Sequence, residues 1–341
     1  FLQDTAKIGS RVILAFGVRW DINSPPGVRK GPRPAVLSPA FANRVVQNEA
    51  LFDRSWSDVA PRFSYTQIIS AKPGRELIAR LGAGGFHAFG ASNVLSFFDG
   101  APYSNVRAMS LPPFPLVGTD LAAPVMPPAK RYGLIVAPDR GALQSPLIRQ
   151  LNLTLEKHLG ADQLVSVAYL STTGRRLLRT ATERSTTADY IDLHKVISVV
   201  DSSWHALQAE YRRRLSRRLQ MQATYTWGHA TDDGANYSGI GFATIFGNEK
   251  GNSDYDVRHL LNISGSYLIP APNVSGLHAA LRDWHLEWIA SARTGLPFDV
   301  VMLNSTPSAD AGAVQTPLIR GLYGFVRPNY NGADLWITDS N

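Results

Sequence analysis

Hydrophobic and polar positions alternate without a break over residues 219–227. Leu219, Met221, Ala223, Tyr225 and Trp227 fall on one side, and Gln220, Gln222, Thr224 and Thr226 on the other. A period of two predicts a strand with one apolar and one uncharged-polar face. The pattern recurs upstream, where Leu207, Ala209 and Tyr211 alternate with Gln208, Glu210 and Arg212. Downstream, Leu261, Ile263, Gly265 and Tyr267 alternate with Asn262, Ser264 and Ser266. Further strands are predicted over residues 1–8, 12–20, 61–69, 77–83, 147–158, 164–170 and 284–292. Together these make about ten strands, each near the length that crosses a bilayer as part of a barrel.

The connections carry the second signal. Short ones fall near 9–10, 70–74, 159–162, 216–218 and 270–282, and long ones at 21–60, 87–143, 171–203 and 229–256. The Ala71-Lys72-Pro73-Gly74 stretch has the chemistry of a tight reversal. The section over 87–143 contains LPPFPLVG and PVMPPAK, too rich in proline for a central strand. Strict alternation of short and long connections predicts a transmembrane antiparallel β-barrel, with periplasmic turns at one end and extracellular loops at the other. The expected fold is therefore all-β, a partial barrel of about ten up-and-down strands spanning residues 1–341. The competing expectation is a soluble β-sandwich that binds carbohydrate or mediates adhesion, its two sheets burying the same apolar positions between them.

Aromatic positions fit two membrane interfaces. Trp204, Tyr225 and Trp227 are expected at the long-loop end, and Tyr211, Tyr267 and Trp284 near the short-turn end. Trp20, closing the second predicted strand, is assigned to the same set. Composition changes the picture little. The 341 residues include no cysteine, which excludes disulfides and thiolate metal sites. A hydrophobic share of 44% looks globular, but no run approaches the roughly 18 apolar residues of a membrane helix. The net charge of +7 is scattered, so no nucleic-acid partner is expected. Phe1 opens without a signal peptide, and the terminal LWITDSN does not read as a closing strand. The expectation is an internal or mature piece of something longer.

The ordered fragments FLQDTAKIGSRVILAFGVRWDINSPP, SDVAPRFSY, RLGAGGFHAF, QSPLIRQLNLTLEKHLG, VSVAYLSTTGRRLL, LQAEYRRRLSRRLQMQATYTWGHATDD, GNSDYDVRHLLNISGSYLIP and WIASARTGLPFDV, with RPN after them, carry a resemblance. Together they resemble the barrel of Oar-like TonB-dependent outer-membrane receptors, which often have a carboxypeptidase-regulatory-like module upstream. The resemblance implies the outer membrane of a Gram-negative-type envelope, surrounding lipid, and a barrel of about 22 strands around a plug. It also implies non-enzymatic uptake of a ligand, energised by the TonB complex acting through N-terminal parts. No TonB box, plug, regulatory-like module or closing strand is recognised in the sequence. Loop aromatics Tyr103, Tyr237, Phe242 and Phe246 are the ligand-binding candidates.

Other motifs favour plainer readings. Gly82-Ala83-Gly84-Gly85 sits in a strand with no helix after it, so crowding rather than phosphate binding accounts for it. Arg212–Arg214 with Arg217 and Arg218 read as a turn capped at headgroup level. His229, Asp232 and Asp233 read as a solvated turn, and Asp254, Asp256 and His259 as loop anchors lacking calcium-loop spacing. No catalytic residue, metal site or cofactor is expected.

Overall fold

The computed structural model describes residues 1–27, 29–30, 35–39, 44–46, 49–87, 115, 118, 132–184, 190–216, 218–234, 250–270, 284–297, 302–304 and 324–326. Among these residues sixteen strands follow in chain order: β1 (Leu2–Ile8), β2 (Val12–Asn23), β3 (Val36–Ser38), β4 (Arg44–Val46), β5 (Ser55–Ser70), β6 (Leu77–His87), β7 (Tyr132–Pro138) and β8 (Leu147–His158). Then come β9 (Gln163–Arg184), β10 (Tyr190–Ser216), β11 (Leu219–Asp232), β12 (Gly251–Asn252), β13 (His259–Leu268), β14 (His285–Arg293), β15 (Met302–Asn304) and β16 (Gly324–Val326).

One 12-stranded sheet contains the meander β1-β2-β5-β6-β8-β9-β10-β11-β13-β14, with β7 added to β10 and β12 to β11. Every neighbouring pair along the meander is antiparallel, as in Leu153 opposite Tyr169 and Tyr225 opposite Leu261. The ten spans expected from alternation are these ten strands. Their turns are tight where glycine permits a left-handed backbone: Gly74 and Gly160 have φ of 70° and 80°, and the Gly160 amide donates to the Gly74 carbonyl at 2.8 Å.

Registers carry one face across the whole sheet. Leu14, Tyr65, Leu81, Leu153, Tyr169, Leu207 and Trp227 form one continuous row. Arg80, Thr154, Ala168, Gln208 and Thr226 form the neighbouring row on the opposite face. The apolar face is uncovered: Leu153 is 43% exposed, Tyr225 41% and Trp227 56%. A sandwich would bury these groups against a second sheet at about 10 Å. Among the described residues no second sheet lies over them.

The long connections differ from expectation. The stretch 171–203, read as a loop, is mostly strand: β9 runs for 22 residues and β10 for 27. Beyond the wall, β7 pairs with β10 in parallel, from Tyr190 opposite Tyr132 to Val196 opposite Pro138. The predicted loops 21–60 and 87–143 contribute β3, β4, the first residues of β5, and β7. In the weakly patterned tail, β15 and β16 pair with each other.

Candidate functional site

Buried apolar clusters are found beyond the wall, at the long-loop end. Leu51, Phe52, Leu143 and Val196 form one cluster, with Leu178 packed against it, and Ala35, Leu37, Ala137 and Leu193 form another. Polar bonds stitch the same region. The Asp139 amide donates to the Val196 carbonyl at 2.9 Å, and the Arg140 amide to the Leu37 carbonyl at 3.1 Å. The Asp139 carboxylate accepts from the Gly141 and Ala142 amides, and its Oδ2 lies 3.3 Å from Lys195 Nζ. Ser198 Oγ donates to the Gln144 carbonyl at 2.8 Å and accepts from the Gln144 amide at 2.9 Å. Arg140 reaches Glu49 at 3.0 Å and Asp53 at 2.6 Å, which raises its guanidinium pKa above the ordinary value. The result is a folded rim, a water-facing platform with its own core.

A second clamp holds the segment after β12. Asp256 is 2% exposed and accepts from the Ala230 amide at 2.7 Å and from Arg258 Nε at 2.7 Å. His229 Nδ1 lies 3.2 Å from the same carboxylate, and His229 Nε2 lies 3.3 Å from Arg258 Nη2. Burial alone would push the Asp256 carboxyl up. The bonds from Ala230, Arg258 and His229 outweigh it and hold the pKa below the ordinary carboxylate value. Thus Asp256 anchors a loop, and His229 belongs to that anchor rather than to a turn with Asp232 and Asp233. Those two serve separately: Asp232 accepts from the Gly234 amide at 3.0 Å, and Asp233 from the Asp201 amide at 2.8 Å. Among the described residues, no group of three or more His, Cys, Asp or Glu could hold a metal ion.

Tyr103, Tyr237, Phe242 and Phe246 lie outside the described residues. The other aromatic candidates fall into two groups. Trp20, Tyr211, Tyr225, Trp227 and Tyr267 share the apolar face by register. Trp284, 57% exposed, stands just before β14. Trp20 Nε1 donates to the Trp56 carbonyl at 2.7 Å, with the rings 6.4 Å apart. Tyr211 donates to Gln163 Oε1 at 2.8 Å. Trp204 differs: it opposes Thr172 and Ala230 on the polar face, three residues before Leu207. Three steps along a strand reverse the side, so Trp204 points away from the wall that Trp227 occupies.

The polar face is laced by short-range bonds. Arg80 makes two bonds to Glu156, at 3.0 and 3.3 Å, and Ser291 donates to Asn262 at 2.8 Å. Two members of the arginine run have local partners as well. Arg212 pairs with Glu210 at 2.7 Å, and Arg213 bonds the Ser216 hydroxyl and carbonyl at 3.2 Å each. Sequence reading missed the folded rim and a pair of Tyr–His contacts. The visible cue for the rim was the stretch Val196–Val200, β-branched at every position but Ser198 and set amid a predicted loop.

Comparison with known proteins gives a family match over nearly the full length. The family model described as "Outer membrane beta barrel domain" matches residues 1–338. Among solved structures, the copper transporter OprC is 11% identical with a TM-score of 0.45, covering 79% of this chain and 33% of that one. The FrpB iron transporter from Neisseria meningitidis is 10% identical, TM-score 0.43, with coverage of 80% and 30%. FauA, the alcaligin outer-membrane receptor from Bordetella pertussis, is 12% identical, TM-score 0.40, with coverage of 80% and 34%. The chain thus spans about a third of the length of each of these three. No curated protein sequence matches it.

Proposed function

The chain belongs to the outer membrane β-barrel family and resides in the cell outer membrane, and from that premise we propose that it supplies wall and external rim to a TonB-dependent receptor of the Oar-like type. In this reading the receptor imports an unidentified ligand without catalysis, and the TonB complex drives it through parts outside this chain. One observation carries the proposal: a ten-strand meander with its apolar face uncovered and its polar face hydrogen-bonded, topped by a folded rim. The uncovered face meets lipid, and Gln, Thr, Asn and Ser on the other face line the interior. Trp20, Tyr211, Tyr225, Trp227, Tyr267 and Trp284 stand at the two headgroup levels. Ligand reaches the rim first, with Tyr103, Tyr237, Phe242 and Phe246 as contacts.

Because the chain has no cysteine, single introduced cysteines report sidedness cleanly. Gln144→Cys at the rim is expected to react with an impermeant maleimide on intact cells, and Asp162→Cys in a tight turn only after the envelope is opened. Equal labelling of both on intact cells overturns the orientation. Loss of ligand uptake in cells lacking TonB, with surface binding retained, tests the energy coupling; uptake that persists without TonB removes it.

A further inference from the structure

The apolar face ends in basic groups at both edges. On β8 the outward positions are Leu147, Arg149, Leu151, Leu153, Leu155 and Lys157. On β10 the corresponding face carries His205 above Leu207, Ala209 and Tyr211, with Arg213 at the lower edge. His229 opposes His205, and His259 opposes Trp227 one row below. Glu156, Glu210 and Glu287 fall on the other face, and Asp201, at the outer edge of this one, is tied to Arg175.

Two of these histidines are held in the same way. The Tyr169 hydroxyl meets His205 Nδ1 at 3.0 Å, and the Tyr225 hydroxyl meets His259 Nδ1 at 2.7 Å. The ring planes are within 16° and 19° of parallel. With the phenol donating, each imidazole keeps its proton on Nε2, the nitrogen left to face outward. A protonated ring would present the same Nε2–H. Arg258, tied to His229, adds a guanidinium that is 43% exposed, while its partner Asp256 is buried. Across β10, β11 and β13 the donors are spread over roughly 10 Å.

We propose that Arg149, His205, Arg258 and His259 form a strip that binds the phosphate of outer-leaflet lipid headgroups. The occupant follows from position and charge. The strip continues the lipid-facing wall without interruption, at the level where headgroups begin, and offers N–H donors, while the carboxylates beside it, Asp201 and Asp256, are tied to Arg175 and Arg258. The proposal rests on the wall being lipid-facing, as argued above.

The test uses the complete barrel carrying this chain, exchanged into nanodiscs of phosphatidylcholine doped with phosphatidic acid. Retained lipid is counted by native mass spectrometry. The wild-type protein is expected to enrich phosphatidic acid. The variant combining Arg149→Gln, His205→Gln and His259→Gln is expected to lose that enrichment by roughly tenfold or more. Tyr169→Phe with Tyr225→Phe, which keeps the rings and drops the hydroxyls, is expected to show a smaller loss. Gln150→Ala on the polar face leaves enrichment unchanged. Undiminished enrichment in the triple variant overturns the proposal. So does glycerol phosphate binding with the same residue dependence, which would assign the strip to a soluble anion. Failure of the protein to enter nanodiscs would instead strike the membrane reading beneath it.

Discussion

Leu153 and Thr154 are neighbours on β8 that face opposite sides of one sheet. Placing an arginine at each separates a lipid wall from a water-exposed one. Leu153 lies midway between Arg149 and Lys157, the basic residues bounding the apolar run on its strand. Four residues of strand rise about 13 Å, or roughly 10 Å along the membrane normal at a tilt near 40°. That places Leu153 near the centre of an apolar band about 25 Å tall. Leu153→Arg is therefore expected to destabilise the inserted barrel by about 2–4 kcal/mol, a factor of roughly 30 to 1,000 in the folded population. Thr154→Arg, on the polar face between Arg80 and Glu156, is expected to cost no more than about 1 kcal/mol, from the like charge opposite it. In water the order would vanish, since Leu153 is already 43% exposed and surface replacements there are nearly neutral. The assay is urea titration of the complete barrel in phospholipid vesicles, with heat-modifiable gel mobility reporting the folded form. Equal effects at the two positions, or a neutral Leu153→Arg, would refute the assignment of faces.

Phe52→Ala removes a ring that is 3% exposed in the rim core, at a cost of about 3–5 kcal/mol. Proteolysis of residues 49–54 on intact cells should accelerate, while heat-modifiable mobility of the barrel persists. A Cβ at Gly265 would collide with the Trp288 ring and approach the Gln220 carbonyl oxygen at 2.8 Å, so Gly265→Val is expected to cost about 1–3 kcal/mol. Adding Trp288→Ala should recover part of that loss in the same urea titration. Asp256 has a depressed carboxyl pKa, so its contribution is complete above the ordinary value of 3.8 and fades as pH falls through the lower folded value. Hydrogen exchange at the Ala230 amide should accelerate in that acid window, and Asp256→Asn should exchange quickly at neutral pH as well.

The wall was legible because a membrane and a polar interior impose opposite demands on successive residues. From Leu219 to Trp227, and over Leu151, Leu153 and Leu155, each step changes solvent, and the period of two is uninterrupted. The rim obeys no such rule. At Arg176 the backbone takes φ of 57°, and pairing slips between Ser198 and Ser202, so Gly174 opposes Ser202 while Leu177 opposes Val200. These irregularities break the alternation where β9 and β10 rise past the wall, and residues 171–203 consequently look like loop. The parallel pairing of β7 has no local signature, since it depends on chain returning from over forty positions away. Trp204 shows a different failure. Its place along the strand suits an interface, but only counting parity from Leu207 reveals its face.

The location of the core follows from which solvent each part meets. In the wall, backbone groups are satisfied by the ladder and apolar side chains by lipid, so the sheet is stable without a second layer. Beyond the wall water returns, and a two-stranded extension would present apolar side chains to it at about 25 cal/mol for each Å². The chain resolves this by bringing β7, β3 and the Leu51–Phe52 segment against β9 and β10, burying Val36, Leu37, Ala137, Leu193 and Val196. Where lipid covers the sheet the apolar groups stay outside, and where water covers it they turn inward. The boundary between those two regimes, at the level of Arg149 and His205, is also where outward-facing imidazoles, His205 and His259, join the basic groups that edge the wall. A barrel read as soluble would have no physical reason for that change at one height.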